Sequence, residues 1–433
     1  MTELDAVSLG TGDTPLTLSS FELIAGLLVL TAAFGWLNER FFRLPGTVGV
    51  LIMGLAASLI LLAIELLFHD VVLYRELGDI VRQIDFQRTV LDGMLAFLLF
   101  AGALHVDFAE LRDRAVVVAT MATIGVLIST VVVAFGIWWV SNLLGTPIPL
   151  AWAFVFGALI SPTDPVAVLA TLKAVKVPKS LEVDMSGESL FNDGVGVVIF
   201  SICLALAGGG DHGATGIGGA AQLLAVEALG GGVLGLAGGY LAYRAMKQVD
   251  NYSLEVLISL SLVAGIYAIA ARLGTSGPIA VVIAGLFIGN RGPGRAMSEV
   301  TQRYLFGFWT LVDEILNSVL FLLIGLEVLV LRLGTSFGWV AVLAIPVVLA
   351  SRFVSVALPA TVLSRWQFFV PGTITTLTWG GLRGGISVAL ALSIPEVPEK
   401  SVILVSTYLV VIFTIVVQGL SLPRVVRRVV LRD

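Results

Sequence analysis

The chain has 433 residues, 58% hydrophobic and only 13% charged, with a net charge of −5 and a mean hydropathy of +1.01. Soluble domains run at roughly 45–50% apolar and 25% charged residues, so a globular cytosolic fold and a basic nucleic-acid-binding surface are both excluded. An all-α polytopic membrane protein is expected.

The N-terminus is acidic and has no Lys or Arg before its first apolar run, so it lacks the positive region of a cleavable signal peptide, and that run is expected to stay as the first span. Counting about 20 mostly apolar residues per span, thirteen spans are expected, centred near residues 30, 57, 101, 130, 162, 195, 232, 262, 283, 317, 350, 380 and 413. Between the second and third, Val71–Arg88 alternates apolar residues with Arg75, Glu76, Asp79, Arg82, Asp85 and Arg88, the pattern of an interfacial segment. Gly208 to Gly219 reads as a glycine-rich outer connection. Gly230-Gly231-Gly232 and Gly238-Gly239 suit close helix packing.

The count can be tested by charge, because Lys and Arg concentrate in cytoplasmic connections. With the N-terminus outside, seventeen of the 25 Lys and Arg fall on the inner side, six fall outside, and Arg352 and Arg383 lie within spans. An odd number of spans, with an outer N-terminus and a cytoplasmic C-terminus, fits this asymmetry. The whole chain reads as one membrane domain without a soluble regulatory part: a first repeat over about 17–209, a linker helix over about 217–248 and a second repeat over about 253–425. The single cysteine, Cys203, and three scattered histidines indicate neither a disulfide nor a transition-metal centre, and no cofactor is expected.

Two spans cannot be plain helices. In the fifth, Ser161-Pro162-Thr163-Asp164-Pro165 sets two prolines around a Thr-Asp pair, and each proline removes a backbone donor. In the twelfth, Trp379-Gly380-Gly381-Leu382-Arg383-Gly384-Gly385 sets four glycines around an arginine. If the seventh span is a linker, each break is the fifth member of a six-helix half. Interrupted helices in corresponding positions point to two inverted six-helix repeats with crossed discontinuous helices and a site at midplane. Asp164 can then balance half-helix N-termini and Arg383 the facing C-termini.

The sixth span carries Gly187-Glu188-Ser189-Leu190-Phe191-Asn192-Asp193-Gly194, and an ionisable residue at that depth is by default functional. Ser189 and Asp193 share one helical stripe, with Glu188 and Asn192 on the adjacent one. Desolvation disfavours a charged carboxylate, so a proton and a small hard cation compete for the oxygens of Asp193, with Ser189 and either Thr163 or carbonyls freed by the break as further ligands. Glu188 calls for a cation, and Arg352 is the one not already assigned to a break; that pair is read as architectural. Glu65, Glu227 and Glu327 are read as reaching the interface. Asp313, Glu314 and Asn317 are read either as packing contacts or as cavity lining. His105 with Asp107 reads as an interfacial histidine, a pH-responsive pair being the lesser reading.

In order and spacing, the two break motifs and the sixth-span motif resemble the signatures of the monovalent cation/proton antiporter family, in its NhaP and sodium/hydrogen exchanger branch. The resemblance implies a secondary transporter rather than an enzyme: a homodimer in a bacterial inner membrane, with lipid around it, in which a mobile core moves against a dimerisation domain. It implies Asp193 as the cation and proton carrier, Thr163, Ser189 and Asn192 around the ion, Asp164 and Arg383 balancing the crossed helices, and Glu188 with Arg352 as the structural ion pair. Many relatives have an acid in the third span where this chain reads Leu99-Phe100-Ala101-Gly102. Na+ is the expected cation, with Li+ or K+ as alternatives, and one-for-one exchange follows from Asn192 standing where electrogenic relatives carry a second aspartate. The remote rival is an intramembrane aspartyl protease built on Asp164 and Asp193.

Overall fold

The computed structural model describes residues 18–67, 83–164, 177–208, 217–329 and 338–430, with the isolated residues 78, 80, 81, 168 and 175. Half of the expected interfacial segment Val71–Arg88, Pro165 with Val166 and Ala167, and most of the Gly208–Gly219 connection lie outside the described residues.

The described residues are helical apart from short connections, as a chain in lipid must be, since each backbone polar group needs a partner within the protein. In chain order the helices are α1 (Ser20–Leu37), α2 (Gly46–Leu67), α3 (Phe86–Leu104), the short α4 (Phe108–Asp113), α5 (Ala115–Leu143), α6 (Leu150–Ile160) and α7 (Lys179–Ala207). There follow α8 (Ile217–Met246), α9 (Tyr252–Leu273), α10 (Gly277–Arg291), α11 (Glu299–Glu327), α12 (Gly338–Leu363), α13 (Thr373–Trp379), α14 (Gly385–Leu392) and α15 (Lys400–Val429). Ten described helices are long and apolar enough to cross a membrane. The others near the expected centres are α10, at 15 residues, and the two interrupted spans: α6, which stops at Ile160, and the pair α13 and α14.

Polar residues mark the starts. Ser19 and Glu22 form a reciprocal cap on α1, and Asn251, Ser276 and Ser298 accept from the first turns of α9, α10 and α11. α8 lies along α10 on a glycine face: a Cβ at Gly235 would stand 2.3 Å from the Ala280 carbonyl oxygen, so only glycine permits this approach. The glycine clustering read in the sequence is used here.

Two sets of helices pack mainly within themselves. α2 lies on α11 and α3 on α10, with α8 and α9 against α10; α5 lies on α6 and α12, α7 on α6, and α15 on α12 and α14. The sets meet where α14 and α7 approach α3, α10 and α11. Cross-links define the ends of the bundle. At one end the Phe108 amide donates to Asn290 Oδ1 (2.7 Å), Lys179 donates to Glu110 (2.8 Å), Arg114 donates to the Phe368 carbonyl (2.9 Å), and Gly372 abuts Val429. At the opposite end of α3 the Leu18 amide meets Gln83 Oε1 at 2.9 Å. The first and last described helices therefore have their free ends on opposite faces.

The α8–α10 seam gives a direct test. Gly235→Val is expected to push the helices apart and cost on the order of 1–3 kcal/mol, as overpacking does, lowering the melting temperature in detergent, whereas Gly265→Val, where nothing lies within 4 Å of an added Cβ, is expected to be neutral.

Candidate ion-binding site

α6 ends at the first break because Pro162 cannot continue its ladder, and the chain passes through Thr163 and Asp164 without helical structure. Its free terminal carbonyls, Ser161 O and Pro162 O, both accept from Arg383 Nη1, the second at 2.8 Å. Arg383 is completely buried. The arrangement is reciprocal: the Asp164 amide donates to the Leu382 carbonyl at 2.8 Å, and the Asp164 carboxylate lies against Gly384, the residue that caps α14. A carboxylate at a helix N-terminus and a guanidinium at a helix C-terminus each neutralise the partial charge of unpaired backbone groups. A Cβ on Gly384 would fall 2.2 Å from Asp164 Oδ2, so glycine is required for this approach.

α7 runs beside the crossing. Thr163 Oγ1 lies 3.1 Å from Ser189 Oγ and accepts from Asn192 Nδ2 at 2.8 Å, while the Thr163 amide donates to Asn192 Oδ1 at 3.4 Å. Thr163, Ser189 and Asn192 are all buried, so both ends of the Asn192 amide are used in fixing the break to α7. Asp193 is 6% exposed and faces a cavity of about 700 Å³ that also reaches Thr163 and Asp164. Among the described residues no hydrogen bond engages its carboxylate, and Asp164 is the charged neighbour whose field reaches it. Thr163 and Asp193 thus border the cavity, while Ser189 and Asn192 stand behind Thr163. Asp164 and Asp193 differ in their work, one serving a helix terminus and the other facing the cavity, unlike the equivalent carboxylates that a protease dyad requires.

Glu188 and Arg352 meet as the sequence demands. The guanidinium holds both carboxylate oxygens, Nη2 at 2.9 Å from Oε2, and also donates to the Leu377 carbonyl from Nε (3.2 Å) and Nη2 (3.0 Å). Fork-on-carboxylate geometry with a further acceptor is what a desolvated ion pair needs to be tolerated. It joins α7, α12 and α13 on the side of α7 away from the cavity.

A family model described as the sodium/hydrogen exchanger transmembrane domain matches residues 28–428. This chain belongs to that family. The Na(+)/H(+) antiporter NhaP of Pseudomonas aeruginosa is 45% identical over 416 residues, covering 94% of this chain and 96% of that protein. The Na(+)/H(+) antiporter NhaH of Halobacillus dabanensis is 34% identical, covering 90% and 93%. The solved structure of the sodium proton antiporter MjNhaP1 from Methanocaldococcus jannaschii superposes with a TM-score of 0.72 at 19% identity, covering 95% of this chain and 99% of that one, and so shares its fold. The chain is an integral membrane antiporter with the crossed-helix fold, and not an enzyme.

The exchanger's site has parts that the sequence reading missed. Arg114, counted with the connections, is mostly buried and grips both oxygens of Asp184, Nε to Oδ1 at 2.7 Å; it also donates to the Phe368 carbonyl and covers the Phe369 ring at 5.1 Å. Asp184 stands one turn before Glu188, so α7 is held by two arginines along one stripe. Within α15 a π-helical turn, Thr414–Gly419, closes the second break: Thr414 Oγ1 accepts from the Arg383 amide at 3.1 Å, and Gln418 donates to the Trp379 carbonyl at 3.1 Å. Single π-turns are frequent at functional sites. One reading is corrected: Glu327 is buried, 7% exposed, and does not reach the interface. Glu65 and Glu227 are half-buried. His105 is exposed, and the lesser reading of it fails, since it does not pair with Asp107, which caps α4; the His105 Nδ1 lies 2.8 Å from the Ala101 carbonyl and its Nε2 3.2 Å from Thr310 Oγ1.

Breaking the Glu188–Arg352 pair from either side leaves a buried charge uncompensated, at a cost of about 3–5 kcal/mol. Glu188→Gln and Arg352→Met are each expected to lower the melting temperature sharply, and the double variant to lose clearly less than the sum. Additive losses in a double-mutant cycle would show that the two side chains do not act as a pair.

Proposed function

We propose that this protein is a secondary antiporter that exchanges a monovalent cation, Na+ foremost, for H+ across a bacterial inner membrane. The observation that carries the reading is Asp193: a desolvated carboxylate without a hydrogen bond among the described residues, bordering a cavity beside the Thr163 hydroxyl. Such a group is stable only when it is protonated or holds a cation. Loading one ion therefore requires release of the other. The relatives named as Na(+)/H(+) antiporters support Na+ as the cation.

Thr163 supplies a second oxygen, and Ser189 and Asn192 hold that hydroxyl in place. Asp164 and Arg383 keep the crossing electrically balanced in both loaded states. The set formed by α5–α7 and α12–α15 serves as the mobile core, and the set containing α1–α3 and α9–α11 as the dimerisation domain. α1 supports a homodimer within lipid, since Phe21, Ile24, Leu28 and Trp36 are all exposed along it. The basic connections support a cytoplasmic position for the end holding Arg114 and Lys179, with the N-terminus outside.

Asp193→Asn is expected to abolish cation-dependent proton flux in proteoliposomes while leaving a monodisperse protein of near wild-type melting temperature, because an amide cannot alternate between proton and cation. Flux near wild-type level in this variant would sink the reading.

Asn192 is uncharged, so the loaded site carries one cation or one proton and the same net charge on both legs of the cycle. A membrane potential acts on moved charge at about 2.3 kcal/mol per elementary charge per 100 mV, and an electroneutral cycle gives it nothing to act on. With a potassium diffusion potential clamped by valinomycin across sodium-loaded proteoliposomes, the reversal point of exchange is expected to stay fixed; a shift with voltage would contradict one-for-one exchange.

A further inference from the structure

The cavity that ends at Asp193 has one polar wall that the proposed cycle leaves unused. On α11, Thr310, Asp313 and Asn317 stand at i, i+3 and i+7, one helical stripe, and all three line the cavity. Exposure falls along them: Thr310 is exposed, Asp313 half-buried and Asn317 only 2% exposed. The stripe therefore descends from mouth to depth over roughly 10 Å, at about 1.5 Å per residue. At the mouth Thr310 Oγ1 meets His105 Nε2 at 3.2 Å. At depth Asn317 Nδ2 donates to Asp313 Oδ1 at 3.0 Å and to the Asp313 carbonyl at 2.9 Å, which fixes the rotamer of that carboxylate. The wall contributed by α3 is apolar: Val90, Leu95, Leu98, Leu99 and Ala101 offer a cation no side-chain oxygen.

A carboxylate set in a cleft with low-dielectric walls focuses its field and raises the local cation concentration, and a small hard cation that sheds water needs oxygen in exchange. We propose that Asp313, aimed by Asn317, is a specificity-determining residue of the access path, which gathers the monovalent cation between the cavity mouth and Asp193. Glu314, also on the cavity wall but exposed, adds to the field without an aimed carboxylate. The inference rests on cation–proton exchange at Asp193. It separates Asp313 from a plain intrahelical packing contact, because a residue on the path changes cation capture, whereas a packing contact changes only how much protein is folded.

The full chain in proteoliposomes, assayed for proton flux against Na+ concentration at fixed pH, makes the distinction. Asp313→Asn is expected to raise KM for Na+ about fivefold or more with Vmax within about twofold, the signature of lost binding common to ground and transition states, and Asp313→Glu to recover most of the affinity. Added choline chloride should weaken capture by the wild type more than by Asp313→Asn, narrowing the gap between them. If Asp313→Asn does not incorporate as folded protein, Asn317→Ala, which keeps the carboxylate but removes the Asn317 amide that aims it, is read for the same rise in KM. An unchanged KM in the variant read, or a fall in Vmax alone, overturns the role of Asp313. Absence of Na+-dependent proton flux in the wild type would instead bring down the exchange reading itself.

Discussion

Where two interrupted helices cross inside a membrane, their unpaired backbone ends face a medium without water, and the contact of Arg383 with the carbonyls of Ser161 and Pro162 is what makes the crossing stable. Each such carbonyl left alone would cost several kcal/mol. The Asp164 carboxylate against Gly384 answers the opposite partial charge at the other break, and the Asp164 amide on Leu382 stitches the two breaks together. Each break thus takes a neutralising charge from the other. The rest of the protein serves to hold that crossing beside one carboxylate.

α7 does the holding, with a different task on each side. Asp184 and Glu188, one turn apart, are gripped by Arg114 and Arg352, which bring in α5, the chain at residues 367–369, α12 and α13. Ser189 and Asn192 reach the other way and fix Thr163. Among the described residues, Asp193 is left facing the cavity with no such obligation. For the ion-ligand role proposed for Asp193, a rigid support has a clear benefit, since the ordering has then been met before the ion arrives. The burial of two arginine–carboxylate pairs is the cost of that rigidity.

Much of this was legible in the sequence because charges in apolar spans are scarce and have few places to go. The two breaks could be read from proline and glycine placement alone, and Glu188 with Arg352 by elimination. Arg114 and Asp184 escaped because hydropathy does not say how deep the end of a span sits, so a buried arginine near a connection looks like any other basic residue there. Glu327 was misjudged for the same reason at the far end of α11. Thr414 and Gln418 carried no signal, since one hydroxyl and one amide in a long apolar helix usually bond back to their own turn. His105 and Asp107 are neighbours in sequence, but Asp107 is drawn off by the amides of the next helix, a stronger local claim than its neighbour's ring.

The short helix α4 has a mechanical meaning. Of the chain's passages between the two helix sets, it lies on the one described throughout, and it is fastened at both ends: the Phe108 amide and the Val106 carbonyl to Asn290 on one set, Glu110 and Arg114 to Lys179 and Asp184 on the other. Six helical residues make a stiff arm of about 9 Å. If the sets slide past one another while both fastenings hold, the arm can only tilt, and its length caps the stroke. A longer stroke would have to let go of Asn290 or Asp184, so under the proposed movement a helix of fewer than two turns would set the limit of travel.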